Sequence, residues 1–168
     1  MIDHPQPTEI EPLLELARGT GFFRPDELEV IHELLDKYFA HIQAIGQPGW
    51  DFGDYIWAVY RDAPGTVPLG FACYGPVEMS EDVYDLYWLA VDRSHQDKKL
   101  GTALLQYVEQ DLIGRRARQL YIETSDTSQY TPTRAFYTRR GYEQVGYMTD
   151  FYTVGDGKVV YRKVFREK

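Results

Sequence analysis

The chain has 168 residues, 43% of them hydrophobic, so it is long enough to bury the core of one domain and too apolar to be disordered. It contains no apolar run that could span a bilayer, and its first residues lack the basic and apolar regions of a secretory signal. Cys73 is the sole cysteine, which excludes an internal disulfide and a metal cluster built on thiolates, and a cytoplasmic, reducing compartment fits.

The net charge of −8 is divided unevenly along the chain. Residues 1–92 carry 4 Lys and Arg against 17 Asp and Glu, whereas residues 93–168 carry 14 against 9. The acidic first half argues against nucleic-acid binding as the main task. A protein that holds an anionic cofactor with one half and a cationic substrate with the other would show this asymmetry, although ordinary solvated faces also explain it.

The first predicted elements are an entry segment and a long helix. The segment PTEIEPLLELARGTGFF, residues 7–23, reads either as a short strand or as a loop and a short helix. Over residues 24–45 apolar residues recur at helical spacing, and Pro25 and Asp26 suit a first helical turn. The run Gly46-Gln47-Pro48-Gly49 is predicted to end this helix.

The middle of the chain is predicted to contain three strands, a helix and a further strand. Tyr55–Arg61 and Leu69–Gly75 read as the strands of a hairpin. Val83–Val91 is largely apolar and is predicted to be a central strand covered on both faces. An amphipathic helix over 101–113 leads to a strand at Gln119–Thr124, and this strand–helix–strand unit is long enough for a right-handed crossover between parallel strands.

The last third of the chain is predicted to form a helix and a closing hairpin. The segment TPTRAFYTRRGY has Pro132 near its start and Gly141 as its stop. Two strands follow, roughly Tyr142–Tyr152 and Lys158–Phe165, around a turn at Gly155-Asp156-Gly157. The order of elements indicates a mixed α/β fold.

The connection after Val91 lies where open α/β sheets bind ligands, past the carboxyl end of a strand. A helix start exposes backbone N–H groups and carries partial positive charge, both of which suit phosphates. Gly101 permits close approach of the backbone to an anion. Further donors are available on Gln96, Lys98, Lys99 and Thr102. The motifs of P-loop NTPases and dinucleotide-binding folds are missing from the sequence, and an ordinary basic loop is the structural alternative.

Two motifs of the chain resemble those of the GCN5-related N-acetyltransferase (GNAT) superfamily. Its acetyl-CoA signature reads apolar strand, V-D-P, Q/R-x-x-G-x-G/A and helix, which LYWLAVDRSHQDKKLGTALL matches at Val91-Asp92, Gln96, Gly101 and Ala103. Lys99 departs from the pattern, which usually has its first glycine there. RAFYTRRGY, Arg134–Tyr142, is similar to the family's closing A-x-x-F-Y-x-x-x-G-F segment, and the resemblance covers roughly Tyr55 to Phe165.

The resemblance implies one N-acetyltransferase domain over residues 1–168. The implied fold is the α/β acyl-CoA N-acyltransferase (GNAT) fold, a mixed, mostly antiparallel sheet with a central splayed parallel strand pair, flanked by helices. Acetyl-CoA is the implied co-substrate, and no metal is implied. The diphosphate would lie on the backbone amides of Gln96, Asp97, Lys98, Lys99, Leu100, Gly101, Thr102 and Ala103. The pantetheine arm would pair with the backbone of Leu89, Ala90 and Val91, and Arg134 is placed to reach a phosphate.

Acetyl transfer to an amine needs a base for the protonated amine and an acid for the departing thiolate. The resemblance implies that Tyr137, which follows Phe136 in the closing motif, is the acid. Glu123, at the end of its strand, is the first candidate for the base, and Asp85, an acidic residue inside an apolar strand, is the second. A core tyrosine and carboxylates paired with arginine are the structural alternatives. A cationic acceptor could also meet Asp150, Phe151 and Tyr152 of the last hairpin, or these could be ordinary hairpin residues.

We therefore expect an acetyl-CoA-dependent N-acetyltransferase in which the amine attacks the thioester directly within a ternary complex. The acceptor would be a small amine, an amino acid or a peptide N-terminus. One alternative is a non-catalytic coenzyme A-binding sensor or regulatory module, which would need neither Glu123 nor Tyr137; another is a domain that uses a different acyl thioester. Neither nucleic acid nor a membrane is an expected partner. A homodimer is a possible form of the protein.

Overall fold

The structure is a computed structural model that describes residues 1–45 and 55–166, with the backbone alone at Ile45 and Asp97. The strands in this part of the chain are β1 (Ile2–Asp3), β2 (Ile56–Tyr60), β3 (Gly70–Pro76), β4 (Val83–Val91), β5 (Gln119–Ser125), β6 (Glu143–Thr153) and β7 (Asp156–Val164). The helices are α1 (Ile10–Thr20), α2 (Pro25–Ile45), α3 (Leu100–Gly114) and α4 (Thr131–Arg139).

The strands form a seven-stranded sheet in the order β1-β2-β3-β4-β5-β7-β6. The pairs β1–β2, β2–β3, β5–β7 and β6–β7 are antiparallel, whereas β4 and β5 are parallel. The parallel ladder runs from Val83↔Gln119 to Leu86↔Ile122, while β4 continues to Val91 and β5 to Ser125. This mixed, mostly antiparallel α/β sheet with a central parallel pair confirms the predicted fold.

Most predicted elements agree with the structure to within one or two residues. The entry segment 7–23 contains a 3-10 turn and the helix α1, which is the second of the two alternatives, and the two-residue strand β1 precedes it. The predicted stop at Gly46–Gly49 lies outside the described residues. The prediction that Val83–Val91 is a central strand is confirmed by the sheet order, and its coverage is partial, because Leu86 and Ala90 are buried and its other residues are half-buried. The strand places the polar Asp85 on one face and leaves that face partly open.

The chain divides into two compact units, and the first comprises Met1–Gly75 and Trp88–Leu112. Its core forms because α1, α2 and α3 each bury an apolar stripe, and α1 packs against α2. Trp57 stacks near Phe71 and Trp88, with ring centroids 5.7 and 6.3 Å apart. The other fully enclosed large side chains of this unit are Leu13, Ile31, Leu35, Val59, Tyr74, Leu104, Leu105, Val108 and Leu112.

Arg61, at the end of β2, anchors the N-terminal segment. Its guanidinium is buried and donates to a carboxylate oxygen of Glu9 at 2.6 Å, to Asp3 at 2.9 Å and to the carbonyl of Thr66 at 2.7 Å. A buried charge is tolerated when its hydrogen bonds are satisfied by opposite charges. The cluster therefore joins β1 and the turn before α1 to the edge of β2.

The second unit comprises Pro76–Tyr87 and Ile113–Lys168. One face of its strands is apolar and contacts α4 through Tyr137 and Tyr161. The large buried apolar residues of this unit include Leu86, Leu120, Ile122, Tyr137, Tyr142, Val159 and Tyr161. β6 is the last strand of the sheet order, and most of its side chains are exposed. No helix within residues 1–45 and 55–166 is both long enough and apolar enough to cross a bilayer.

Candidate active site

The connection from β4 to α3 begins with a capped 3-10 turn, Arg93–Lys98. The carboxylate of Asp92 accepts the backbone amide of Ser94 at 3.0 Å and lies 2.8 Å from Nδ1 of His95. The hydrogen bond to His95 is the largest of the contacts that hold the pKa of Asp92 below its usual range. The aspartate of the Val-Asp pair therefore fixes the direction in which the chain leaves β4.

The start of α3 presents backbone amides that the helix itself does not use. Lys99 has φ of +63°, and α3 begins at the next residue. The first helical hydrogen bond runs from the amide of Ala103 to the carbonyl of Lys99 at 3.0 Å. The amides of Leu100 and Gly101, in the first turn, therefore have no carbonyl within α3 to accept them, and the helix dipole adds partial positive charge there. Such a helix start can receive phosphate oxygens.

The left-handed conformation of Lys99 gives a physical reason for the glycine that the GNAT signature usually has at this position. Glycine adopts positive φ without steric cost, whereas a residue with a Cβ is strained there. This chain keeps the turn with a lysine, whose side chain is exposed, as is that of the preceding Lys98. Two ammonium groups therefore adjoin the start of the helix.

The end of β4 is held by close backbone packing. The amide of Asp92 donates to the carbonyl of Leu69 at 2.9 Å, and the side-chain amide of Gln96 donates to the carbonyl of Val91 at 3.4 Å. A Cβ at Gly70 would lie 2.9 Å from the carbonyl oxygen of Ala90, so only glycine lets β3 approach β4 this closely. These contacts fix the backbone that the sequence analysis assigns to the pantetheine arm.

The predicted coenzyme residues thus form one continuous stretch from the end of β4 to the first turn of α3. The side chains of Ala90 and Leu100 are buried, so these two residues could contribute only backbone groups. Exposed side chains are those of Gln96, Lys98 and Lys99; Leu89, Val91, Gly101, Thr102 and Ala103 are half-buried. Coenzyme binding at these residues stays a prediction.

Both predicted base candidates lie on the same face of the sheet. Paired residues share a face, and Asp85 pairs with Tyr121, two residues before Glu123 on β5. Lys158 of β7 pairs with Ser125, again on that face. We call this face of β4, β5 and β7, which carries Asp85, Glu123 and Lys158, the carboxylate face. Nζ of Lys158 donates to both carboxylate oxygens of Glu123, each at 3.0 Å.

Asp85 is the member of the carboxylate face whose protonation is most perturbed. Burial is the largest cause that raises its pKa, the negative charge of Glu123 also raises it, and the positive charge of Lys158 lowers it; the resulting pKa is about 6. Within the described part of the chain, the side chain of Asp85 forms no hydrogen bond or ion pair. A carboxylate with these properties titrates close to neutral pH, where a general base is most effective.

Tyr137 of α4 lies on the opposite, apolar face. Its ring packs against the rings of Tyr142 and Tyr161, with centroids 5.7 and 6.1 Å away, and Tyr161 pairs with the buried Ile122 of β5. Burial raises the pKa of Tyr137, so its hydroxyl is protonated at neutral pH. The ring of Tyr137 is thus part of the apolar core, as the structural alternative predicts. The role of its hydroxyl as an acid stays a prediction.

Arg134 of α4 holds the loop that follows β5. Its guanidinium donates to the carbonyls of Ser125 at 2.7 Å and Thr127 at 2.9 Å, and to the hydroxyl of Thr131 at 3.0 Å. These bonds fix the end of β5, and a contact of Arg134 with a coenzyme phosphate stays a prediction. Asp150, expected to meet a cationic acceptor, accepts the amide of Gly155 at 2.7 Å within the closing hairpin.

Lys158 is a residue of the candidate site that was not predicted from the sequence. The side chain of this lysine is only 10% exposed, and its Nζ lies 3.7 Å from the centroid of the Phe151 ring. Alternation along GKVVYRKV could have placed it on the face of Val160, but its partner Glu123 is 35 residues away and depends on the register between β5 and β7. Among the described residues, no three His, Cys, Asp or Glu side chains are grouped as metal ligands.

Comparison with known proteins then decides the family. The family model described as "Acetyltransferase (GNAT) family" matches residues 19–142. The chain belongs to the GNAT acetyltransferase family. A solved GNAT-family structure from Desulfovibrio desulfuricans is 34% identical to it, with 98% of each chain covered and a TM-score of 0.87. The comparison with curated proteins gives no match.

More distant GNAT structures share the fold. An aminoglycoside 6'-N-acetyltransferase complexed with coenzyme A is 18% identical, covers 100% of this chain and 98% of its own, and has a TM-score of 0.74. The ribosomal-protein-S18-alanine N-acetyltransferase from Escherichia coli is 17% identical, covers 100% and 95%, and has a TM-score of 0.73. GNAT membership makes this chain an acetyl-CoA-dependent N-acetyltransferase in class, and leaves its acceptor and its own site residues to be proposed.

Proposed function

We propose that this GNAT protein transfers the acetyl group of acetyl-CoA to a primary amine by direct attack of the amine on the thioester. The observation that carries the proposal is the carboxylate face. There, Asp85 and Glu123 lie at the end of the parallel ladder, and Asp85 titrates near neutral pH. An alkylammonium has a pKa of about 10.4, so a nearby carboxylate must take its proton before the nitrogen can attack.

The residues at the start of α3 fit the diphosphate of a coenzyme. The amides of Leu100 and Gly101 are donors without a carbonyl in their own helix, and Lys98 and Lys99 add positive charge beside them. When bound, acetyl-CoA supplies an acetyl thioester, whose carbonyl carbon is the electrophile. The backbone of Leu89 to Val91 is proposed to hold the peptide-like pantetheine arm, as strands bind extended chains.

The acid–base chemistry is assigned to residues of the second unit. A carboxylate of the carboxylate face takes the ammonium proton, the amine nitrogen forms a bond to the acetyl carbon, and the carbon–sulfur bond breaks. The second proton that the nitrogen loses as the amide forms passes to the departing thiolate, which leaves as the thiol. Tyr137 provides an O–H donor for the departing thiolate. Because burial raises the pKa of Tyr137 above that of a thiol, about 8.5, the hydroxyl stabilises the thiolate mainly by a hydrogen bond rather than by giving up its proton.

An amine acceptor is supported by the distant relatives. Among the structures with this fold are acetyltransferases named for an aminoglycoside and for the alanine of a ribosomal protein, both of which offer amines. For this chain we propose the common class, a primary amine on a small molecule, amino acid or peptide N-terminus. We further propose that it acts in the cytoplasm without nucleic-acid or membrane partners.

The competing function is a coenzyme A-binding sensor without catalysis. The presence of two carboxylates and a protonated tyrosine, none of which is needed to bind a coenzyme, favours the enzyme. The test is release of free thiol from acetyl-CoA in the presence of a panel of amines. Amine-dependent thiol release together with an acetylated amine in the mass spectrum supports the enzyme, whereas tight coenzyme binding without release from any amine supports the sensor.

A further inference from the structure

The ammonium of Lys158 is enclosed on the carboxylate face by groups that leave it little contact with water. Both carboxylate oxygens of Glu123 accept from Nζ at 3.0 Å, and the ring of Phe151 covers Nζ at 3.7 Å from its centroid. The lysine side chain is 10% exposed, whereas that of Glu123 is 51% exposed. An ion pair with a covered cation and two equal hydrogen bonds is more rigid than an exposed surface pair.

We propose that Lys158 is a positioning residue: it holds Glu123 in a closed ion pair, so that Asp85 is the carboxylate that accepts the proton of the acceptor amine. This inference rests on the proposed N-acetyltransferase function and divides the work between the two candidate bases. It reverses the order of preference that the sequence suggested, in which Glu123 came first.

The contacts of the two carboxylates indicate which of them can accept the proton. Both carboxylate oxygens of Glu123 already accept from Lys158, so an incoming ammonium could reach them only by displacing Lys158, and the enclosed ammonium of Lys158 would then lose its partner. Asp85, in contrast, has no such contact within the described residues and is half-buried. Its oxygens are therefore the ones that an incoming ammonium can use.

The two other charges on the carboxylate face shift the pKa of Asp85 in opposite directions. The negative charge of Glu123 raises the pKa of Asp85, and the positive charge of Lys158 lowers it. On the same face, Arg162 of β7 donates to Glu143 of β6 at 3.0 Å and also bonds Tyr121 of β5, so this arginine is engaged elsewhere.

The strand on the other side of β4 in the sheet order adds no charge to this set. Within Gly70–Pro76 its titratable residues are Cys73 and Tyr74; Cys73 is buried, and the hydroxyl of Tyr74 donates to Asp111 at 2.8 Å. Glu123 and Lys158 are therefore the two charges whose removal is expected to change the titration of Asp85.

The test compares D85N, E123Q and K158M by the pH dependence of kcat/KM for an amine that the wild type acetylates. We expect D85N to lower kcat by about 10²-fold or more, and E123Q to retain kcat within about tenfold. Because Asp85 must be deprotonated to act, the rate rises through its pKa. K158M should therefore move this acidic limb to higher pH by about one unit, and E123Q should move it to lower pH.

The opposite shifts distinguish positioning from a purely structural role, which would lower activity without moving the limb in two directions. K163M is the matched control, because Lys163 lies on β7 with its side chain on the other face, and its variant should leave the limb unmoved. Melting temperature and coenzyme A binding are measured for every variant. If K158M does not fold, K158Q replaces it with the same expected shift.

Three results would overturn the inference: an E123Q variant as impaired in kcat as D85N, a D85N variant that keeps wild-type kcat, or a K158M variant with an unmoved acidic limb. The failure of the proposed function looks different. In that case the wild type itself, although it binds coenzyme A, releases no thiol with any amine, before any variant is compared.

Discussion

Replacing Lys99 by glycine separates two roles of this residue, in the conformation of the turn and in coenzyme binding. Lys99 is exposed and has φ of +63° and ψ of +16°. A residue with a Cβ pays about 1–2 kcal/mol in this left-handed region, which K99G removes. The added freedom of glycine in the unfolded chain costs about 0.4–1 kcal/mol. We therefore expect K99G to be between unchanged and about 1.6 kcal/mol more stable than the wild type, with a central expectation of about 1 kcal/mol.

K99A is the matched control, because alanine keeps the Cβ and loses the charge. It should be about as stable as the wild type and less stable than K99G by roughly 1 kcal/mol. Both variants lose the same ammonium, so both should bind coenzyme A a few-fold more weakly at low salt, as expected for an exposed charge worth about 0.2–1 kcal/mol. The difference from wild type should shrink as salt screens the charge.

Urea unfolding gives the stabilities, and calorimetric titration with coenzyme A at two salt concentrations gives the affinities. The reasoning about the turn is refuted if K99A is more stable than K99G, because the added freedom of glycine in the unfolded chain would then outweigh any strain that the Cβ causes at this position. The reasoning about the charge is refuted if K99G and K99A bind coenzyme A as tightly as wild type at low salt.

Two further predictions concern the first unit. G70A should lower the free energy of unfolding by about 1–3 kcal/mol, because the new Cβ would lie 2.9 Å from the carbonyl oxygen of Ala90 and 3.0 Å from a methyl of Leu104. G19A is the control, because a Cβ at this position of α1 meets open space, and it should be neutral or stabilising. Equal urea midpoints for the two variants would contradict this prediction. Glu9 is partly buried, which raises its pKa, but hydrogen bonds from Arg61 and from the amide of Gln6 outweigh burial and set the pKa below the ordinary value. A carboxylate whose pKa is lower in the folded than in the unfolded protein adds stability above its unfolded-state pKa, and this stability is lost as the pH falls through its folded-state pKa. In urea unfolding below about pH 4.5, the wild type should therefore lose more stability than E9Q. If the stabilities of the two proteins fall in parallel with pH, the ion pair with Arg61 is not stabilising.

Elements with strong periodicity could be predicted from the sequence. α2 and α3 carry apolar residues at helical spacing, and the strand–helix–strand order of β4, α3 and β5 implied the parallel pair that the structure contains. For α1 the sequence predicts a helix only as one of two alternatives, because eleven residues that follow proline and glutamate give only a weak helical signal. Local patterns thus sufficed where a single element determines its own apolar face.

The candidate site divides along the same line. The start of α3 is local in sequence, so its motif could be recognised, but the conformation of Lys99 could not be deduced from its identity, since lysine rarely adopts positive φ. Lys158 and Glu123 are brought together by the register between β7 and β5. A register slip of one residue would place Lys158 on the opposite face, so no local pattern could have fixed this pair.

Direct acetyl transfer from acetyl-CoA to an amine within a ternary complex is the central claim. The most direct measurement is the initial rate of thiol release with acetyl-CoA and amine varied together, with the acetylated amine identified by mass spectrometry. We expect double-reciprocal lines that intersect and one acetylated amine for each thiol released. Parallel lines accompanied by an acetylated protein intermediate, or no amine-dependent release despite coenzyme binding, would contradict the claim.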